Sequence, residues 1–356
     1  MNLLPLLFSF SALACASLAE MPRIELSPAA RAFRVAGTLQ EFVPWGFNYD
    51  HDRGGRLLED YWESEWDSVV GDFREMKALG ANVVRIHLQF GRFMRTAEEP
   101  DPASLHQLAK LVALAEETGL YLDLTGLGCY DKAKVPAWYD ALEETARWRA
   151  QARFWEAVAG VCAPSGAIFC YDLMNEPVVA AAKGGQWLGP EFGGKCFVQY
   201  ITRDPAGRVR SDIARQWVET LAGAIRGKDH SHLVTVGLVD WSLDRPGLNS
   251  GMIPAKVAPA LDFLCVHLYP RPGKRDEDLA VLAAFAEVGK PVVIEETAPL
   301  FCGPDDFAKF MSASRVSAVG WIGFYWGQPM EELDAKKPAD ALLRTWLEVF
   351  RKGPPK

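Results

Sequence analysis

Two glutamates in this chain each end a short apolar run. In "YDLMNEP" (171–177) the run stops at Asn175 and Glu176, with Pro177 behind them. In "PVVIEET" (291–297) it stops at Glu295 and Glu296. A carboxylate is costly to take out of water unless it is paired or used. A charged group where a buried strand meets its loop therefore marks either a salt-bridged rim or the mouth of a site. Two carboxyl groups flanking one bond can divide the work, one giving a proton to the leaving group and the other attacking as nucleophile. Further polar and aromatic residues end other apolar runs: Asn48 and Asp50, Arg85 and His87, Thr125, Asp240 and Trp241, His267 and Tyr269, and Trp326.

The elements that would carry these residues alternate along the chain. Runs such as "VPWGFNYD", "ANVVRIHLQF", "LYLDLTGLGC" and "AIFCYDLMNEP" are apolar throughout. Segments with helical spacing separate them, for example "WESEWDSVVGDFREMKALG" and "DPASLHQLAKLVALAEETG". Eight such β runs between helices predict a parallel sheet covered on its outside, hence an α/β fold of the (β/α)8 TIM-barrel type in a single domain over about 23–350. A doubly wound open sheet is the alternative, but no Gly-rich dinucleotide turn supports it. Short strands over 23–44 precede the barrel, and a Gly- and aromatic-rich insertion at about 178–210 follows Glu176 as a wall or lid. In a barrel the strand-end residues gather at one mouth. Strands four and seven face each other across it, which sets Glu176 opposite Glu295 and Glu296. Because strand residues alternate faces, only one of that adjacent pair is expected to point inward.

"YDLMNEP" and "PVVIEET", together with "VVRIHL" and "CVHLYP", resemble the family 5 glycoside hydrolases of clan A, the cellulase-like retaining β-glycosidases, over about residues 40–350. The resemblance implies Glu176 as acid/base and Glu296 as nucleophile, with Glu295 only a neighbour. It implies Arg85 as the cation beside Glu296 and Asn175 as the contact to the sugar 2-hydroxyl. His267 and Tyr269 match the His-x-Tyr after strand six, and Trp326 matches the aromatic floor under the sugar. Asn48 and His87 are expected to bind substrate as well. Thr125 stands where many members carry a His, with His51 or His87 able to fill that space. The implied substrate is a β-linked poly- or oligosaccharide, β-glucan or β-mannan foremost, and the implied chemistry calls for no metal or other cofactor.

Composition narrows the alternatives. A net charge of −8 argues against nucleic acid or an anionic membrane surface as partner. Twelve Trp lean toward flat sugar-stacking faces. The first nineteen residues, "LLPLLFSFSALACASLA" after the start, resemble a secretory signal peptide. Export to the periplasm or medium is expected, with "ALAC" marking Cys15 as a lipid-anchor position. No later run is apolar enough to span a membrane, and a monomer is expected. Among the cysteines Cys129 and Cys196 are the favoured disulfide, while Cys170 and Cys265 read as small core residues. "HSH" at 230–232 precedes its strand and so falls at the wrong end of a barrel for a metal site. A non-catalytic carbohydrate-binding barrel is the alternative function, and a metal-dependent barrel hydrolase is a third.

Overall fold

The structure is a computed structural model that describes residues 21–324 and 326–355. The expected leader, with Cys15, lies outside the described residues. Three short strands come first, β1 (Ile24–Leu26), β2 (Phe33–Val35) and β3 (Glu41–Phe42), in an antiparallel sheet. Next come β4 (Trp45–Tyr49), β5 (Val83–Gln89), β6 (Tyr121–Gly128) and β7 (Ile168–Asn175), then β8 (Pro177–Val179) and β9 (Gln199–Thr202). The chain continues through β10 (Leu233–Val239), β11 (Leu264–His267), β12 (Val292–Thr297) and β13 (Gly320–Gly323). Eight of these close a barrel in the order β4, β5, β6, β7, β10, β11, β12, β13, each parallel to its neighbours. The predicted (β/α)8 barrel is the observed fold.

The helices form as their sequences dictate. Pro102–Thr118 begins with Asp101 accepting the backbone N–H groups of Ala103 and Ser104, each at 2.9 Å, and with Pro102 where no N–H is missed. It ends at Gly119, whose φ of +68° stops the helix in the left-handed region. Its apolar stripe, including Leu108, Leu111 and Ala115, packs on the outside of the barrel. Between β10 and β11, where no helical run is legible, only short turns make the crossover, Asp240–Ser242, Pro254–Val257 and Ala258–Ala260.

The antiparallel sheet plugs the bottom of the barrel. Phe33 meets Phe169 and Phe263 edge to face, with centroids 5.2 and 5.1 Å apart, and Phe42 meets Tyr121 at 5.0 Å. That closes one end to water and leaves the C-terminal ends of the strands as the open mouth. The insertion after β7 is not an unstructured loop, because β8 and β9 pair in parallel within it. Cys196 donates its backbone N–H to the Tyr130 carbonyl at 2.8 Å, so the loops of Cys129 and Cys196 meet as expected. The disulfide is not made: both thiols are free and buried. Burial pushes the Cys129 thiol up to about 12. His232 of "HSH" pairs with Asp229 at 2.6 Å at the start of β10, away from the mouth. Among the described residues no helix is long and apolar enough to cross a membrane.

Candidate active site

Arg85 on β5 organises the mouth. It is fully buried, and its Nη1 donates to Glu296 Oε1 at 2.7 Å and to Asn48 Oδ1 at 2.9 Å. Its Nη2 donates to Asp172 Oδ2 at 2.8 Å and to Asn175 Oδ1 at 3.0 Å, and lies 3.4 Å from Glu295 Oε2. A guanidinium that desolvated is tolerable only inside such a ring of anions and acceptors. Gly237 leaves the space. A Cβ there would come within 3.0–3.1 Å of His267 Nε2, Arg85 Nη2 and Glu295 Oε2.

Glu295 and Glu296 both face into the barrel, against the expectation from strict alternation. On β12 two residues, Glu295 and Glu296, stand where β11 advances by one, since Val266 pairs with Ile294 and His267 with Glu296. Pairing to β13 likewise jumps from Ile294 to Thr297. A bulge of this kind re-aims one side chain. A second register shift on β7 turns Asp172 and Asn175 inward together.

His267 joins the carboxylates. Its Nδ1 lies 3.0 Å from Glu176 Oε1 and 3.5 Å from Glu296 Oε2, and its Nε2 lies 3.2 Å from Glu295 Oε2. Burial opposes a charge on this ring, but Glu296, Glu176 and Glu295 raise its pKa to about 10, so it is an imidazolium at neutral pH with both N–H groups donating. Glu295, although buried, is drawn down to about 2 by Arg85 and His267. Glu296 is pushed above the ordinary carboxylate value by burial, with Glu176 adding to it, while His267, Arg85 and Tyr269 pull the other way. The Tyr269 hydroxyl donates to Glu296 Oε2 at 2.8 Å, so each oxygen of Glu296 accepts a strong hydrogen bond.

Below this layer lie Asp172, raised to about 6 by burial and Glu295, and Asp123, raised further by the same two causes. Thr125 donates to Asp172 Oδ2 at 2.8 Å and so serves Asp172. His87 Nε2 lies 3.0 Å from Asn48 Oδ1, and its Nδ1 lies 2.6 Å from the Tyr130 hydroxyl. Asn48 Nδ2 is committed to the carbonyls of Glu295 and Gly323, so Oδ1 can only accept. His87 therefore carries its proton on Nε2 and accepts from Tyr130. Burial and the nearby Arg85 hold it neutral, well below the usual histidine range.

The expected residues divide accordingly. Glu176, Glu296, Asn175, His87 and Tyr269 line one cavity of about 490 Å3 at the mouth. Arg85, His267 and Asn48 stand beneath it. Asn48 spends all its bonds inside the protein and holds Arg85 and His87 instead of touching substrate. Trp326 does not line the cavity. It is buried against Phe47, with ring centroids 5.6 Å apart, because β13 ends at Gly323 and the chain turns there. Phe324 lines the cavity from that segment instead. Most of the Trp are likewise core residues, Trp66, Trp138, Trp148 and Trp241 being half-buried and none exposed. Asp172, Asp123 and Tyr130 were not foreseen as parts of the site, and Glu295, expected only as a neighbour of Glu296, joins its charge network. Asp172 in "YDLM" and Asp123 in "LYLDL" are the ones a polar residue inside an apolar run could have flagged.

Glu176 sits in the left-handed region with φ +46°, uncommon for a residue with a Cβ, and its N–H is held by the Gly237 carbonyl at 3.0 Å. One oxygen of Glu176 and one of Glu296 lie within 4.8 Å of each other and of a ring nitrogen of His267. Asp123, Asp172 and Glu295 form a second set with the same spacing. In the first set Arg85 and His267 already face the carboxylates. In the second, Arg85 already supplies the compensating charge.

The sequence model of the family described as Cellulase (glycosyl hydrolase family 5) matches residues 56–329, most of the chain. The chain belongs to glycosyl hydrolase family 5. This family 5 member is therefore a glycosidase acting on O-glycosyl bonds of a carbohydrate, a β-glycoside hydrolase. Among solved structures it is similar to an exo-β-1,4-mannosidase from Opitutaceae bacterium strain TAV5, at 17% identity and TM-score 0.69. That match covers 92% of this chain and 61% of the other, so the chain spans under two thirds of that mannosidase. It is also similar to the endo-1,4-β-mannanase of Rhizomucor miehei, at 17% identity and TM-score 0.64, covering 93% of this chain and 100% of that one. A β-1,4-mannanase from the sea hare Aplysia kurodai matches at 16% identity and TM-score 0.61, covering 85% of this chain and 92% of the other. At these identities the likeness is one of fold. No curated protein sequence matches the chain.

Proposed function

We propose that this family 5 glycosidase works by double displacement, with Glu176 as acid/base and Glu296 as nucleophile, on a β-linked gluco- or manno-configured sugar in a poly- or oligosaccharide or conjugate. One observation carries the reading: the facing oxygens of Glu176 and Glu296 lie within 4.8 Å. Retaining enzymes hold their carboxyl groups about 5–5.5 Å apart, whereas an attacking water needs roughly 6.5–9.5 Å. Arg85 Nη1 and the Tyr269 hydroxyl hold one oxygen each of Glu296, aiming the carboxylate at the anomeric carbon.

His267 fixes where the acid proton sits. Its Nδ1–H donates to Glu176 Oε1, so that oxygen is occupied as an acceptor and the transferable proton belongs on Oε2. As the bond to the leaving oxygen breaks, Glu176 gives up that proton, and the imidazolium remains against the new carboxylate. Glu296 is by then an ester without charge. Glu176 takes a proton from water, which opens the ester on the face the leaving group left. The neighbours in fold are named as a β-1,4-mannosidase and two β-1,4-mannanases, which supports β-mannosides beside β-glucosides as first substrates.

The test is trapping with 2-deoxy-2-fluoro β-glycosides followed by peptide mapping, with proton NMR of fresh product. The label on Glu296 and first appearance of the β-anomer are expected. First appearance of the α-anomer would overturn the mechanism.

A further inference from the structure

We infer that the leaving-group region of this site takes an apolar aglycone, so that the preferred substrate is an amphiphilic β-glycoside and not a polysaccharide. The inference rests on the glycosidase reading above and concerns what the sugar is attached to. Eight large apolar side chains are exposed among the described residues, and four of them, Phe192, Leu300, Phe301 and Leu342, line the cavity that holds Glu176 and Glu296. They are 75%, 47%, 57% and 39% exposed. They come from three separate places: the insertion after β7, the loop after β12 and the helix Pro338–Phe350. Convergence of unrelated segments on one rim is not the scatter of single apolar residues that any surface carries, and exposed apolar patches of this kind mark binding sites. Phe197 and Phe324 continue the apolar wall inward.

Most of the polar lining groups are the catalytic ones, Gln328 being a further polar side chain among the apolar walls. Glu176, Glu296, Asn175, His87 and Tyr269 gather where one sugar must sit. Higher up, Arg53 and Asp340 are spent on each other at 3.1 Å. A chain of further sugars would bring a row of hydroxyls against Phe, Leu and Pro side chains with few partners, and no exposed Trp offers a stacking face. The apolar rim is continuous with the catalytic pair, so its occupant is bonded to the sugar being cleaved. The insertion that supplies Phe192 and Phe197 follows directly on Glu176, the residue that protonates the leaving oxygen.

The experiment is kcat/KM along a series of n-alkyl β-glucosides and β-mannosides from methyl to octyl, below their micelle concentrations, against gluco- and manno-oligosaccharides. The simple alcohols differ little in acidity, so chain length reports contact and not chemistry. We expect about a fourfold gain for each methylene group that reaches the walls, and Phe192→Ser with Phe301→Ser to flatten the series. Both variants should turn over a glycosyl fluoride, whose single-atom leaving group cannot reach these walls, as the wild type does. A flat series with oligosaccharides preferred would overturn the inference, as would a flat series in a protein whose rim is covered by a second copy in solution, seen as a dimer by light scattering. If activated aryl glycosides are not cleaved and Glu296 is not labelled, the mechanism fails instead, a separate result.

Discussion

Replacing Glu295 by Gln keeps its volume and removes one charge from the buried network. What is lost is the negative charge facing His267 Nε2 at 3.2 Å and Arg85 Nη2 at 3.4 Å, both out of solvent, since the amide oxygen can still accept. A hydrogen bond to a charged group contributes ~1.5–3 kcal/mol. The His267 titration, now near 10, should therefore fall by ~1.5 pH units, at 1.36 kcal/mol for each. The sign for stability follows from that group's folded pKa lying above its unfolded value of about 6.5. The stabilisation from His267 is complete below about 6.5 and is lost as pH rises through about 10. It is on the order of 5 kcal/mol in mildly acid solution. The depressed pKa of Glu295 is the same interaction seen from its partner and is not added. The wild type should lose stability in urea titrations progressively from about pH 6.5 to about pH 10, and in Glu295→Gln the loss should begin at the same pH but be complete ~1.5 pH units lower. NMR titration of the His267 ring and kcat/KM on an aryl glycoside complete the assay, the variant remaining active with Glu296 still trapped by the fluoro sugar. An unmoved His267 titration, or a folded variant with no labelling at Glu296, would refute the assignment of roles to the adjacent glutamates.

Glu296→Gln should abolish activity on every substrate, by ~10^4-fold or more, in a protein that remains folded by circular dichroism. Glu176→Ala should spare glycosides with good leaving groups far more than those with poor ones, and azide should restore turnover; equal loss on both, with no effect of azide, would reassign the acid. Gly237→Ala pushes a methyl group against three members of the network and should cost ~1–3 kcal/mol in denaturant unfolding, together with activity. Asp101→Ala, far from the mouth, should cost ~1 kcal/mol through the lost helix cap and leave kcat/KM unchanged.

The barrel was legible because its signal repeats: apolar runs with helical segments between them leave few architectures, and the strand ends then name the mouth. Arg85, Asn175, Glu176, His267, Tyr269 and Glu296 all come together there for that reason. What was hidden depends on where strands stop and on which neighbour satisfies a polar group. Trp326 lies three residues past the end of β13, so extending the strand to it put the indole on the wrong side of the chain. Phe324, one residue past the end, takes the place at the cavity. Asn48 has the type and position of a substrate contact, but its four bonds to Glu295, Gly323, Arg85 and His87 involve partners distant in sequence.

The adjacent glutamates show the limit most clearly. Period-two alternation is a property of regular pairing, and no sequence feature of "VVIEET" announces the bulge that breaks it. Once both side chains enter the barrel, a regular strand's division into one inward and one outward carboxylate no longer holds, and their charges have to be met together. Arg85 reaches both. His267 reaches both as well and also touches Glu176, so one imidazolium joins the proposed acid, the proposed nucleophile and the buried neighbour. Glu295 is thus the anion that balances His267 from below, letting the ring stay charged where it must face Glu176. In a regular strand Glu295 would point outward and leave the imidazolium without that support, its pKa drawn down by burial. The bulge on β12 is therefore part of the catalytic arrangement, since it brings in the charge that keeps the His267 N–H groups donating.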